Sequence, residues 1–372
     1  MNEPSKYELA AWGNIQKFKL RPLSAMGQKT TQGLANGVSA FVDSHPKMKT
    51  LLDHGSRVIA KSTSAVGSRA KKVSDAIPEE LKDWTGESLA AVQTTLAKLS
   101  RVGLTTNGIV KIHQKRGHDV ESIQDFRTLD LKDIDSVGVK SASWYYPALA
   151  AASGAGASFV ITGGEFTTVV SGGATAAPTG GVVAAVLAGD MAVMLSLSSR
   201  AVAHYGLLYG YDPDEPAEKL FALSIVNAGT AMSQSAKYAA MSDLSKLTQA
   251  LVRNKNWNEL AKTVFGKVAQ EFKNKFGARI FKSSLGKVVP VAGIIVGGTF
   301  NWATLERITD VANMVYRRRF LLDKYPHLAE SENKFNIYED ENSSEDLPDE
   351  DISIVNEIDT AELEHKGKGK AK

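Results

Sequence analysis

The chain has 372 residues, 43% of them hydrophobic and 23% charged, enough to bury one sizeable core or two modest ones and too apolar for a disordered protein. It contains no cysteine, which excludes disulfides, thiolate zinc sites and cysteine nucleophiles. The formal charge of +3 divides unevenly: residues 329–364 hold fourteen Asp and Glu against one Lys, the closing HKGKGKAK adds four Lys, and residues 1–328 carry a net +12.

A body this basic favours anionic partners, either nucleic acid or the cytoplasmic leaflet of a membrane. The opening MNEPSKYELAAWGNIQKFKL mixes charges and has no apolar core, so no secretory leader is expected and the chain is placed in the cytoplasm. A short helix is predicted over 7–19. Residues 38–73 then mix apolar positions with Lys61, Arg69, Lys71 and Lys72, and 1–77 is read as a helical, basic N-terminal segment. Pro78, followed by Glu79 and Glu80, marks a helix start, and Leu89, Val92, Leu96 and Leu99 keep helical spacing. This opens a helical domain predicted over 78–328. His113 and His118 flank the basic QKRG; the spacing does not bring them together, and they read as an exposed basic turn without a metal. The segment 128–138 reads as a short acidic helix entry ahead of Trp144, Tyr145 and Tyr146.

The stretch 141–199 is Ala/Gly-rich and carries only Glu165 and Asp190 as charges before Arg200. Its uncharged runs, 141–164 and 166–189, have the length of a bilayer span, since about 20 apolar residues suffice. Gly163, Gly164, Gly172, Gly173, Pro178, Gly180 and Gly181 interrupt them, which favours small-residue helices that are tightly packed or associate with a membrane. Strand-like candidates are confined to 159–162 and 167–170, so an all-α multi-helix bundle is predicted. Over 182–209 a helix apolar on every face is expected, with Asp190 on the face of Met194, Leu197, Ala201 and Leu208. A buried carboxylate needs a partner. Arg200 is about 15 Å along the axis, so Lys287 or Arg317, Arg318 and Arg319 are the expected partners. His204 reads as a core histidine.

In YGYDPDEP, 209–216, Gly210 is placed to stop the helix and Asp212 or Asp214 to cap the next one, with Pro216 in its first turn. The carboxylates of Asp212, Asp214 and Glu215 do not match a calcium loop. The uncharged run 288–305 contains Pro290, Gly293, Gly297 and Gly298 and is predicted to be a re-entrant or buried hairpin. After Asn301, an apolar stripe of Leu305, Ile308, Ala312, Val315 and Leu322 defines a helix. Glu306, Asp310, Asn313 and Arg317 form a polar stripe, which is a solvated face unless other helices cover it. The acidic segment 329–372, ending in its Lys/Gly repeat, is predicted to be disordered and to temper the attraction of the basic body to anionic surfaces.

No phosphate-binding loop, zinc-protease helix, nucleophile elbow or dinucleotide fingerprint is present. The succession of KIHQKRGHDVESIQDFRTLDLKDID from Lys111, the Gly-rich run, GDMAVMLSLSSRAVAHYGLLYGYD from Gly189, LFALSIVNAG from Leu220, VVPVAGIIVGGTFN from Val288 and YRRRFL from Tyr316 resembles the EcsC protein family over roughly residues 78–325. The resemblance implies a largely helical, cytoplasm-facing protein that associates with membranes; it assigns no activity. It marks Asp190, Arg200, Tyr209, Gly210, Tyr211, Asp212, Asn301 and Arg317 without giving them roles.

Two functions follow as expectations. In the first, the protein binds peripherally to an anionic membrane surface or a membrane protein complex, with Lys287, Arg317, Arg318 and Arg319 holding headgroups. In the second, it is an enzyme acting on a lipid-like or other amphiphilic substrate, with Asp190 as acid/base or metal ligand and Arg200 or Arg317 holding an anion. No cofactor is implied. A nucleic-acid partner is not expected, because basic and aromatic residues do not interleave.

Overall fold

The computed structural model describes residues 3–18, 105–140, 142–151, 180–231, 234–253 and 292–331, together with 29, 32, 33, 261, 265, 266, 268, 269, 272, 276, 353, 355 and 356. For 180–192, 234, 292–299 and 331 the description is of the backbone alone. The helices are α1 Lys6–Gln16, α2 Thr106–Lys115, α3 Leu131–Ser136, α4 Gly180–Leu208, α5 Pro216–Thr230, α6 Gln234–Arg253 and α7 Ala292–Lys324, with 3-10 turns at Ile123–Thr128 and Pro326–Ser331. Residues 142–151 are also helical, and no strand occurs among the described residues. The fold is all-α. No helix among the described residues is long and apolar enough to cross a membrane.

Local chemistry sets the helix ends. Ser5 Oγ accepts the Glu8 amide at 3.2 Å and the Glu8 carboxylate accepts the Ser5 amide at 2.8 Å, a reciprocal cap that starts α1. Asp130 caps α3 by accepting the Lys132 amide at 2.8 Å. Gly210, at φ +82°, ends the turn after α4, and Pro216 opens α5. Glu215 rather than Asp212 or Asp214 holds the N-cap position of α5, while Asp212 folds back to accept the Asp214 amide at 2.9 Å and shapes the turn.

Helix α7 is the centre of the bundle, packed against α4 and α5. The predicted stripe of Leu305, Ile308, Ala312, Val315 and Leu322 is fully buried. Phe221 meets Tyr316 edge-on at 5.3 Å, and Gly229 lies against Ile308, so α5 runs antiparallel to α7. A Cβ on Gly229 would lie 2.6 Å from Ile308 Cγ1; only glycine permits this approach.

The hairpin expected over 288–305 is replaced by continuous helix from Ala292. Each helical glycine costs about 1 kcal/mol relative to alanine, a penalty that packing on two neighbouring helices outweighs. The predicted helix after Pro78, the basic stretch 38–73, the strand-like candidates, 152–179 of the Gly-rich run, Lys287 and nearly all of the acidic segment lie outside the described residues.

The N-terminal helix is fastened to the far end of α7. Glu8, 1% exposed, accepts Lys324 Nζ at 2.8 Å, the Tyr325 hydroxyl at 2.8 Å and the Leu131 amide at 3.3 Å. Burial pushes this carboxyl up, but the Lys324 ammonium, the Ser5 amide and the Tyr325 hydroxyl outweigh it and hold its pKa below the ordinary value.

Candidate functional site

The polar stripe of α7 is not a solvated face. Glu306 is buried, and Asn313 and Arg317 are covered by side chains from α1, α4 and the end of α3. Arg317 Nη2 donates to Asp135 Oδ2, which also accepts the Tyr7 hydroxyl at 2.7 Å. The Tyr209 hydroxyl lies 2.7 Å from the Asn313 side-chain amide and 3.1 Å from Asp135 Oδ1. A phenol has one hydrogen, so both contacts are satisfied when Asn313 turns its amide to donate to Tyr209 and Tyr209 donates to Asp135.

A second network lies on the adjoining face. Arg319 Nη1 pairs with Glu218 at 2.5 Å, with both side chains buried, and the Tyr316 hydroxyl lies 3.4 Å from the other carboxylate oxygen. The Tyr211 ring lies against the guanidiniums of Arg319, 4.0 Å from its centroid, and Arg127, at 5.0 Å. Its hydroxyl donates to Asp323 at 2.7 Å. Burial raises the Glu218 pKa above the ordinary carboxylate value even against the pull of Arg319. Burial and then the adjacent carboxylates raise the Tyr209 and Tyr211 hydroxyls well above the phenol range, so both remain donors. Each carboxylate of the two networks faces committed donors, and the arrangement joins helices without leaving a free base.

These contacts account for several residues singled out from the sequence. Tyr209 and Tyr211 anchor the α4–α5 turn to α7, while Gly210 lets that turn press on the backbone of Ile123. Arg317 and Arg319 are held by carboxylates, and Arg318 is buried, with Nη2 3.3 Å from Ser245 Oγ. Asn301 is fully buried in α7. None of Arg317, Arg318 and Arg319 can serve Asp190. Tyr209 meets Asn313 and Phe320 at the end of α4, and position 190 lies about 28 Å back along that helix.

A different surface gathers around Arg200. The Tyr205 hydroxyl donates to the Val139 carbonyl at 3.3 Å, and the Tyr146 hydroxyl lies 3.2 Å from His204 Nδ1. The helix 142–151 therefore packs on α4 through Tyr146 and His204. Trp144 is 51% exposed, Tyr145 46%, Leu149 39% and Val193 40%. Val193, Leu197, Arg200 and His204 follow one another at helical spacing along this side of α4. Arg200 is half-buried and lies near the Tyr146 hydroxyl, whose pKa it lowers. Burial, and then Arg200, lowers the His204 pKa to about 4, while burial raises Tyr146 to about 12 against the opposing effect of Arg200. The hydrogen of the neutral Tyr146 phenol thus goes to a neutral imidazole.

His113 and His118 do not form an exposed turn. Gly117, at φ +84°, reverses the chain after α2 and carries His118 back onto the helix, leaving the two Nδ1 atoms 2.9 Å apart. His113 is fully buried, its ring 4.4 Å from that of Phe126, and its Nε2 has no hydrogen-bond partner. Burial, then the charges of His118 and Arg116, lower its pKa from 6.5 to about 4. The unfolded chain therefore takes up this proton first. The stabilisation is fully present above pH 6.5 and is lost as pH falls towards 4, with His204 contributing in the same window. In urea titrations across this range, His113→Gln is expected to flatten the pH dependence of the unfolding midpoint; an unchanged slope would remove His113 from it. No group of three His, Cys, Asp or Glu that could hold a metal occurs among the described residues.

A model of the EcsC protein family matches residues 56–321. The uncharacterized protein YdbA of Bacillus subtilis (strain 168) is 27% identical over 139 residues, 37% of this chain and 48% of the relative, so the chain spans about half the length of the curated relative it matches. No solved structure matches the chain.

Proposed function

The chain belongs to the EcsC protein family, and we propose that it docks peripherally on an anionic membrane surface through the face formed by the helix 142–151 and α4. The observation that carries this reading is the exposure of Trp144, Tyr145, Leu149 and Val193 on two adjacent helices. Tryptophan and tyrosine are suited to the membrane boundary because an apolar ring body carries a polar N–H or O–H. The same helix leads directly into the uncharged residues of the Gly-rich run, and the net +12 over residues 1–328 supplies long-range attraction to acidic headgroups.

This model separates binding into a salt-sensitive part from diffuse charge and a salt-resistant part from the aromatic face. Protein should co-sediment with phosphatidylcholine vesicles containing a quarter phosphatidylglycerol, and a fraction should remain bound in ~0.5 M salt, where screening acts within about 4 Å. The double substitution Trp144→Ser with Tyr145→Ser should reduce that resistant binding by about tenfold or more, the effect of removing two large apolar side chains from an interface. Undiminished binding of the double variant in high salt would refute the docking face.

A further inference from the structure

We propose that Arg200 is a binding site for the phosphate of an anionic phospholipid on this docking face. The inference rests on the membrane reading above and assigns the headgroup contact to one side chain. Arg200 has no carboxylate partner among the described residues and lies beside the Tyr146 phenol and the His204 imidazole, whose pKa values it lowers. Arg317 and Arg319 instead are each matched by a carboxylate. A half-buried guanidinium with no counter-charge among the described residues is poorly solvated where it sits, and an arriving anion relieves that.

Its surroundings select the kind of anion. Along α4, Arg200 lies seven residues after exposed Val193 and on the same side of the helix. Across from it, Trp144 and Tyr145 adjoin Tyr146, with the two tyrosine rings 5.2 Å apart and edge-on. A cation on the same face as exposed apolar side chains matches the two kinds of group in a lipid, a phosphate and an acyl chain. The planar guanidinium presents paired N–H donors to two phosphate oxygens, a geometry an ammonium lacks. Tyr146 and His204 support this arrangement: with the imidazole neutral and accepting the phenol hydrogen, neither group brings a charge to compete for the guanidinium, whose N–H groups stay available to a phosphate.

The test compares wild type, Arg200→Gln and Arg200→Lys for partitioning onto phosphatidylcholine vesicles with and without a quarter phosphatidylglycerol. Circular dichroism and the thermal midpoint confirm that each variant is folded. Arg200→Gln should lose about five- to tenfold in binding to the phosphatidylglycerol vesicles, and Arg200→Lys should regain only part of it, because charge without the bidentate fork restores the attraction and not the fit. If Arg200→Gln does not fold, the lysine variant decides alone. Binding by Arg200→Lys equal to wild type would reduce the effect to diffuse charge and overturn the site, as would equal binding by a folded Arg200→Gln. Displacement of the protein from vesicles by millimolar glycerol phosphate would assign the site to a free phosphate ester and overturn the lipid assignment. Failure of wild type to bind either vesicle would instead remove the membrane reading on which the site rests.

Discussion

Glu218→Ala is expected to destabilise the fold by about 3–5 kcal/mol, the cost of leaving a buried guanidinium without its partner. Glu218 is 2% exposed and Arg319 8%, so water cannot replace the lost carboxylate. The Tyr316 hydroxyl, 3.4 Å from Glu218, loses an acceptor in the same change. Replacing both partners, as in Glu218→Leu with Arg319→Met, should recover most of the loss, since apolar side chains of similar volume need no counter-charge. Urea unfolding followed by circular dichroism measures both variants. A loss below about 1 kcal/mol for Glu218→Ala would place the pair in the range of exposed ion pairs and contradict its burial.

Gly210→Ala is the second large effect. Gly210 and Gly117 share nearly the same backbone, φ +82° and +84°, and an alanine pays about 1–2 kcal/mol for that left-handed conformation at either position. Their surroundings differ. A Cβ at Gly117 meets nothing within 4 Å, whereas at Gly210 it would lie 2.5 Å from the Ile123 carbonyl oxygen. Backbone cannot rotate aside as a side chain can, so the turn between α4 and α5 must lift away from the 3-10 turn at Ile123–Thr128. That movement also loosens Tyr209 and Tyr211 from α7. Gly117→Ala is expected to cost only the conformational penalty, and Gly210→Ala at least about twice as much. Equal losses would mean that the close approach to Ile123 does not constrain the turn.

Much of the helical framework was legible from local signals. The apolar spacing of Leu305, Ile308, Ala312, Val315 and Leu322 identified the buried stripe of α7, and Gly210 with Pro216 bracketed the turn before α5. Spacing along one helix says which residues share a face and not what covers that face. Glu306, Asp310, Asn313 and Arg317 therefore looked solvent-facing, although Tyr7, Asp135 and Tyr209, distant in sequence, close over Asn313 and Arg317. The same limit hid the His113–His118 contact, which depends on the left-handed Gly117 turning a helical spacing back on itself. It also concealed the partners of Arg317 and Arg319: Asp135 and Glu218 carry no signal distinguishing them from surface acids. The WYY segment stood out as aromatic, yet only the packing of Tyr146 against His204 shows that Trp144 and Tyr145 face outward.

Whether that outward face enters lipid is read most directly from Trp144 itself. The chain has five tryptophans, so the emission of wild type minus that of Trp144→Phe isolates one of them. On phosphatidylglycerol-containing vesicles the difference spectrum should shift to the blue and be quenched by lipids brominated on their acyl chains, as a ring at the membrane boundary requires. A difference spectrum unmoved by vesicles that bind the protein, and unquenched by brominated chains, would contradict docking through this face.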